Sequence, residues 1–81
     1  MWWVYIIDKG DKYYTGITTD LDKRLGQHKV KMFLYKQQFS NKIEAAKRER
    51  EVKGWTRRKK QRLIAKFSRE FTLRSFSLHS R

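Results

Sequence analysis

Cysteine and proline are absent from this chain, and glycine occurs only four times. Without cysteine there is no disulfide framework and no thiolate zinc site, and a reducing, cytoplasmic setting fits best. No linker of domain-separating length and no internal repeat divides the 81 residues, so they read as one small domain. Acidic residues are scarce as well: eight Asp and Glu stand against 21 Lys and Arg. No His/Cys/Asp metal cluster, Ser-His-Asp arrangement, glycine-rich phosphate loop or paired-carboxylate site stands out. Long hydrophobic runs are missing too, and none approaches the length of about 18 residues that a membrane span needs. The apolar start, Met1 to Ile7, is too short for a signal peptide, lacks a basic flank and meets Asp8 at once.

What is present is positive charge and aromatic surface. The formal net charge of +13 makes nucleic acid the first candidate partner, DNA ahead of RNA. An anionic membrane surface or a ribosomal role rests on charge alone. Three Trp, four Tyr and five Phe supply most of the available burial area. A chain of this size buries only about two-thirds of the surface its unfolded form exposes. A monomer is expected, without membrane attachment or small-molecule cofactor.

Residue patterning gives an element order. Trp2 to Ile7 is rich in aromatic and β-branched residues and reads as a strand. Asp8 to Lys12 is a turn cluster around Gly10, and Tyr13 to Ile17 resumes the strand, giving an antiparallel hairpin. Leu21, Leu25 and His28 share a helical spacing, so a helix is expected from about Asp20 to Lys29, with Thr19 and Asp22 close to a capping box. A third strand is expected within Val30 to Phe39. Ser40 or Asn41 then caps a helix reaching Lys53, ended by Gly54. Thr56 opens a further helix with Leu63, Ile64 and Phe67 as its apolar side. From Ser68 onward the chain reads as a short strand or as a basic tail disordered until bound. The order β-β-α-β-α-α describes an α+β domain, a small three-stranded antiparallel sheet flanked by helices, over residues 1–67, with a tail at 68–81.

A few polar side chains suit phosphodiester chemistry. Tyr5 and Tyr14 can share a face of the hairpin if the register allows, although sheet phenols more often simply pack. Neighbouring cations lower a phenol from its ordinary value near 10, so such a tyrosine can take or relay a proton. Arg24 and His28, four residues apart, share one face of the first helix beside its apolar stripe. The guanidinium suits a phosphate and the imidazole suits proton transfer near neutral pH. Ala45, Glu49 and Val52 fall on one stripe, so Glu49 is a carboxylate among apolar residues that needs a partner: Lys53, or a cation such as Mg²⁺. Arg57, Arg58, Lys59, Lys60 and Arg62 form a basic helix face able to track phosphates. Trp55 beside them suits base stacking less well than core packing.

Val4-Tyr5-Ile6, Tyr14-Thr15-Gly16, Arg24, His28, Glu44-Ala45 and Arg48-Glu49 together resemble the GIY-YIG endonuclease superfamily, particularly its small stand-alone bacterial members. The chain is also similar to the N-terminal nuclease domain of the excision-repair incision subunit. The resemblance spans roughly Trp2 to Ile64. It implies a nuclease that hydrolyses DNA with Mg²⁺ or Mn²⁺, in repair or recombination. Tyr5 and Tyr14 would then lie at the reaction centre, Tyr14 helping to deprotonate the attacking water. Arg24 would contact the scissile phosphate, His28 would assist proton transfer, and Glu49, or else Glu51, would hold the metal. The segment after His28 is shorter than in that subgroup, which leaves an inactive nucleic-acid-binding module on the same scaffold as the alternative.

Overall fold

The computed structural model describes residues 1–10, 12–29 and 32–79, with 70–79 as backbone only. The elements are β1 (Trp2–Asp8), β2 (Tyr13–Thr18), α1 (Leu21–His28), β3 (Tyr35–Phe39), α2 (Lys42–Lys53) and α3 (Arg57–His79). The expected α+β order is therefore the one observed. The sheet order is β2-β1-β3 with both pairings antiparallel.

The central position of β1 explains its composition. Val4, Tyr5, Ile6 and Ile7 are all essentially inaccessible, because both faces of a central strand are covered. Register sorts these side chains to two sides. Val4 pairs with Ile17, and Ile6 with Thr15 and Tyr35, on one face; Tyr5 pairs with Gly16 and Lys36 on the other. Val4, Ile6 and Tyr35 meet Ala45 and Val52 of α2, and Leu63, Ile64 and Phe67 of α3 pack against that cluster. Each fully buried Val or Ile there contributes about 1.5–3 kcal/mol. Trp55 belongs to this core side as well, with the Arg48 guanidinium 5.0 Å and the Lys59 ammonium 4.5 Å from its ring centroid.

Turn and cap chemistry sets the boundaries. Gly10 adopts φ 94°, and its N–H donates to Asp8 Oδ1 at 2.9 Å, closing the hairpin tip. Asp20, one residue beyond the expected capping box, is the N-cap of α1: its Oδ1 accepts from the Lys23 N–H at 3.0 Å. Thr18 holds that corner by accepting from the Asp20 N–H at 3.0 Å. Lys29 ends α1 in the left-handed region at φ 56°. Asn41, and not Ser40, caps α2 through the Glu44 N–H, and Gly54 closes its other end.

Two expectations need correction. The third strand begins only at Tyr35, since the Leu34 N–H joins the Ile6 carbonyl and Phe33 turns its ring toward Tyr5; Val30 and Lys31 lie outside the described residues. The second concerns the C-terminal segment. Helix α3 continues through Ser68 to His79, where a strand or unordered tail was expected. No glycine or proline stands between Trp55 and Arg81 to stop it.

Candidate active site

The antiparallel register sets Tyr5 opposite Gly16 and Tyr14 opposite Ile7, so the two phenols lie diagonally on one face of the hairpin. Their ring centroids are 6.2 Å apart. Gly16 makes this approach possible. A Cβ on it would lie 2.5 Å from the Tyr5 hydroxyl oxygen and 2.9 Å from Cε1 of Tyr14. Tyr5 is the inner member at 1% exposure and Tyr14 the outer one at 40%, so a substrate arriving from solvent meets Tyr14 first.

Helix α1 completes the group. His28, in its last turn, stacks obliquely on Tyr14 at 4.8 Å between centroids and lies 6.1 Å from Tyr5. The Tyr5 hydroxyl is 3.3 Å from His28 Nε2, and Lys9 Nζ is 3.4 Å from Nδ1. Phe33 closes the inner side with an edge-on contact to Tyr5 at 5.2 Å. Arg24, one turn before His28 and half-buried, donates to Gln27 Oε1 at 2.9 Å. Its charge bears on both Tyr5 and His28.

These surroundings set the protonation states. Burial, followed by the Lys9 and Arg24 charges, pushes the His28 imidazole below its ordinary value, which favours the neutral ring. Tyr5 departs from the expectation that nearby cations favour a phenolate. Burial raises it, the Tyr14 neighbour adds to the rise, and the Arg24 charge offsets only part of it. Tyr5 is thus a neutral hydroxyl, a donor and relay.

Glu49 has a half-buried side chain, 21% accessible, with Lys53 Nζ at 3.7 Å. Its negative charge is the smallest of the influences that raise Tyr5. Glu51 points elsewhere: it pairs with Arg48, whose guanidinium serves Tyr35 on the core side. Among the described residues no three His, Asp or Glu side chains come together.

The fold therefore gathers Tyr5, Tyr14, Arg24 and His28, with Glu49 in electrostatic reach. It does not gather the basic series of α3 with them. Arg57, Arg58, Lys59, Lys60 and Arg62 belong to a helix packed against the opposite face, where Arg57 covers the Tyr13 ring at 4.6 Å. Lys9 and Phe33 are site residues that the sequence did not single out. Lys9 sits in a polar turn that reads as solvated, and Phe33 sits in a stretch that reads as strand. Gly16 could have been found, since a glycine inside a strand signals close approach.

Comparisons with known proteins bear on the family of the chain. The sequence profile described as the GIY-YIG catalytic domain matches residues 1–32, the stretch that carries Tyr5, Tyr14, Arg24 and His28. The UPF0213 protein of Staphylococcus saprophyticus is 34% identical over 76 residues, covering 78% of this chain and 93% of that protein. That of Staphylococcus aureus strain Mu3 is 38% identical over 74 residues, covering 75% and 90%. That of Staphylococcus haemolyticus is 32% identical over 75 residues, covering 76% and 92%. No solved structure gives a significant match. With two tyrosines, an arginine and a histidine on one sheet face, a matching catalytic-domain profile and relatives aligned over nearly their whole length, the chain belongs to the GIY-YIG superfamily, alongside the UPF0213 proteins.

Proposed function

We propose that this protein is a divalent-metal-dependent endonuclease that hydrolyses DNA phosphodiester bonds, in repair or recombination and in the cytoplasm. The observation that carries the reading is the cluster of the Tyr5, Tyr14 and His28 rings, 4.8 to 6.2 Å apart and anchored on Gly16. In this reading Tyr14, the exposed phenol, takes a proton from the attacking water. Tyr5 hydrogen-bonds behind it and meets the negative charge that develops on its oxygen. Arg24 binds the scissile phosphate, giving up Gln27 for a charge-assisted pair of N–H contacts. His28, kept neutral, moves a proton near the phosphate.

Glu49 fits a small hard cation as one carboxylate ligand, because Mg²⁺ and Mn²⁺ complete their shells with water and phosphate oxygens, and its ion pair with Lys53 is long at 3.7 Å. When bound, such a cation withdraws charge from the phosphate. The basic series of α3 supplies non-specific phosphate contacts away from the reaction centre, through the exposed Arg57, Arg58, Lys59 and Arg62 and the half-buried Lys60. Residues 1–67 are the catalytic unit in this reading, and 68–79 continue its last helix.

Purified protein incubated with branched, single-stranded and duplex DNA, and with RNA, tests the proposal. Cleavage is expected with Mg²⁺ or Mn²⁺ and not with a chelator. Tyr14→Phe should lower the cleavage rate by about 10²- to 10⁴-fold. Glu49→Ala should remove the metal response, and unchanged cleavage by it would discard the assigned metal ligand. If DNA is retarded in a gel but never cut, the protein is a binding module on a nuclease scaffold.

A further inference from the structure

His28 is contacted on both ring nitrogens, and the two contacts differ in kind. Lys9 Nζ stands 3.4 Å from Nδ1 and the Tyr5 hydroxyl 3.3 Å from Nε2. An ammonium has three donors and no acceptor, so Nδ1 satisfies it only by offering a lone pair. The proton of the neutral ring then resides on Nε2 and is donated to the Tyr5 oxygen. With its oxygen accepting there, Tyr5 is left to give its own proton to another partner, and Tyr14, diagonal to it on the same hairpin face with ring centroids 6.2 Å apart, is the neighbouring phenol. One directed chain results: Lys9 to His28, His28 to Tyr5, Tyr5 to Tyr14. The opposite tautomer would set an N–H against the ammonium and draw the Tyr5 proton away from Tyr14.

We propose that Lys9 is a positioning residue that fixes His28 in the Nε2–H tautomer and so orients the Tyr5 hydroxyl toward Tyr14. The hairpin tip is built to hold it there. Gly10 turns back onto Asp8, and the Lys9 N–H donates to the Lys12 carbonyl at 2.9 Å, so Lys9 leaves the backbone at a defined point. The other groups bearing on the ring are Arg24 from its own helix and the phenols of Tyr5 and Tyr14 from β1 and β2. Arg24 adds positive charge to the ring as a whole, whereas Lys9 meets Nδ1 and the Tyr5 hydroxyl meets Nε2; of those two only the ammonium lacks a lone pair and so fixes the direction. The tautomer is a property of the free protein. Only its consequence for rate rests on the nuclease reading.

The test is ¹⁵N NMR of the histidine rings in the metal-free, DNA-free full chain, recorded above the imidazole titration, with His28→Gln separating His28 from His79. The unmodified protein should show a protonated Nε2 and a lone-pair Nδ1. Lys9→Met should populate the Nδ1–H form and raise the His28 titration midpoint, while Lys9→Arg, which keeps the charge and the donors, should retain the native pattern. An unmodified ring protonated on Nδ1, or a Lys9→Met ring that stays wholly Nε2–H, overturns the proposal. Cleavage assays are read separately. Lys9→Met should lower kcat with KM unchanged and Lys9→Arg should restore it. If the rings behave as expected but nothing is cleaved, the nuclease reading fails and the tautomer assignment stands.

Discussion

The two faces of the β1–β2 hairpin are made from alternate residues of the same two strands, yet they do different work. On one face Val4, Ile6 and Ile17 lie under α2 and α3 and meet Tyr35, Ala45 and Val52. On the other, Tyr5 and Tyr14 meet His28 and Arg24 of the eight-residue α1. The first face is apolar and closed. The second is aromatic and polar, and it opens from a buried phenol to an exposed one. Stability is concentrated where apolar area is buried, whereas the polar cluster gains its precision from being held against that rigid layer.

The comparison breaks most visibly on the closed face. Ile6→Ala should cost about 2–5 kcal/mol, because the cavity lies between two helices and the sheet and collapses poorly. Against a total of about 5–15 kcal/mol for a domain of this kind, that loss should appear as a large drop in the urea midpoint. On the open face Gly16→Ala should cost about 1–3 kcal/mol as Tyr5 and Tyr14 are forced apart. Its larger mark should be on cleavage, which a soluble, folded variant would lack. If Gly16→Ala cleaves normally, the close approach of the two rings is not part of the chemistry.

The smallest expected effect is the dependence of stability on pH. Burial, Lys9 and Arg24 depress His28 in the folded protein, so as pH falls the unfolded chain takes up this proton first. The His28 contribution is therefore fully present above about pH 6.5 and is lost as pH drops below that value toward the depressed one. Tyr5 and Tyr35 are raised, both chiefly by burial, so the unfolded chain ionises first above about pH 10 and stability falls there too. Thermal midpoints against pH should show both limbs. His28→Gln should flatten the acid one and leave the alkaline one.

Much of this was legible in the chain. The hairpin followed from β-branched and aromatic runs around Gly10, and α2 from Asn41 and Gly54, because caps and turns are local chemistry. Arg24 and His28 could be placed on one face of a helix by spacing alone, and Glu49 could be placed on a stripe with Ala45 and Val52. The limits of β3 were not legible, because pairing with Ile6 begins at Tyr35 and propensity does not know the partner strand. Nor was the state of Tyr5. A count of nearby cations argued for a phenolate, whereas 1% exposure made desolvation the larger effect.

The sequence by itself determined the element order, the basic character and the identities of the paired tyrosines, helical arginine, histidine and glutamate, since each depends on composition or on near-neighbour spacing. Tertiary structure decided what distance along the chain conceals. The register that sets Tyr5 over Gly16 and the arrival of Lys9 at His28 from 19 residues away both arise when separate elements pack. Spacing fixes direction within one element, but only packing between elements fixes which groups meet and how much water is left between them.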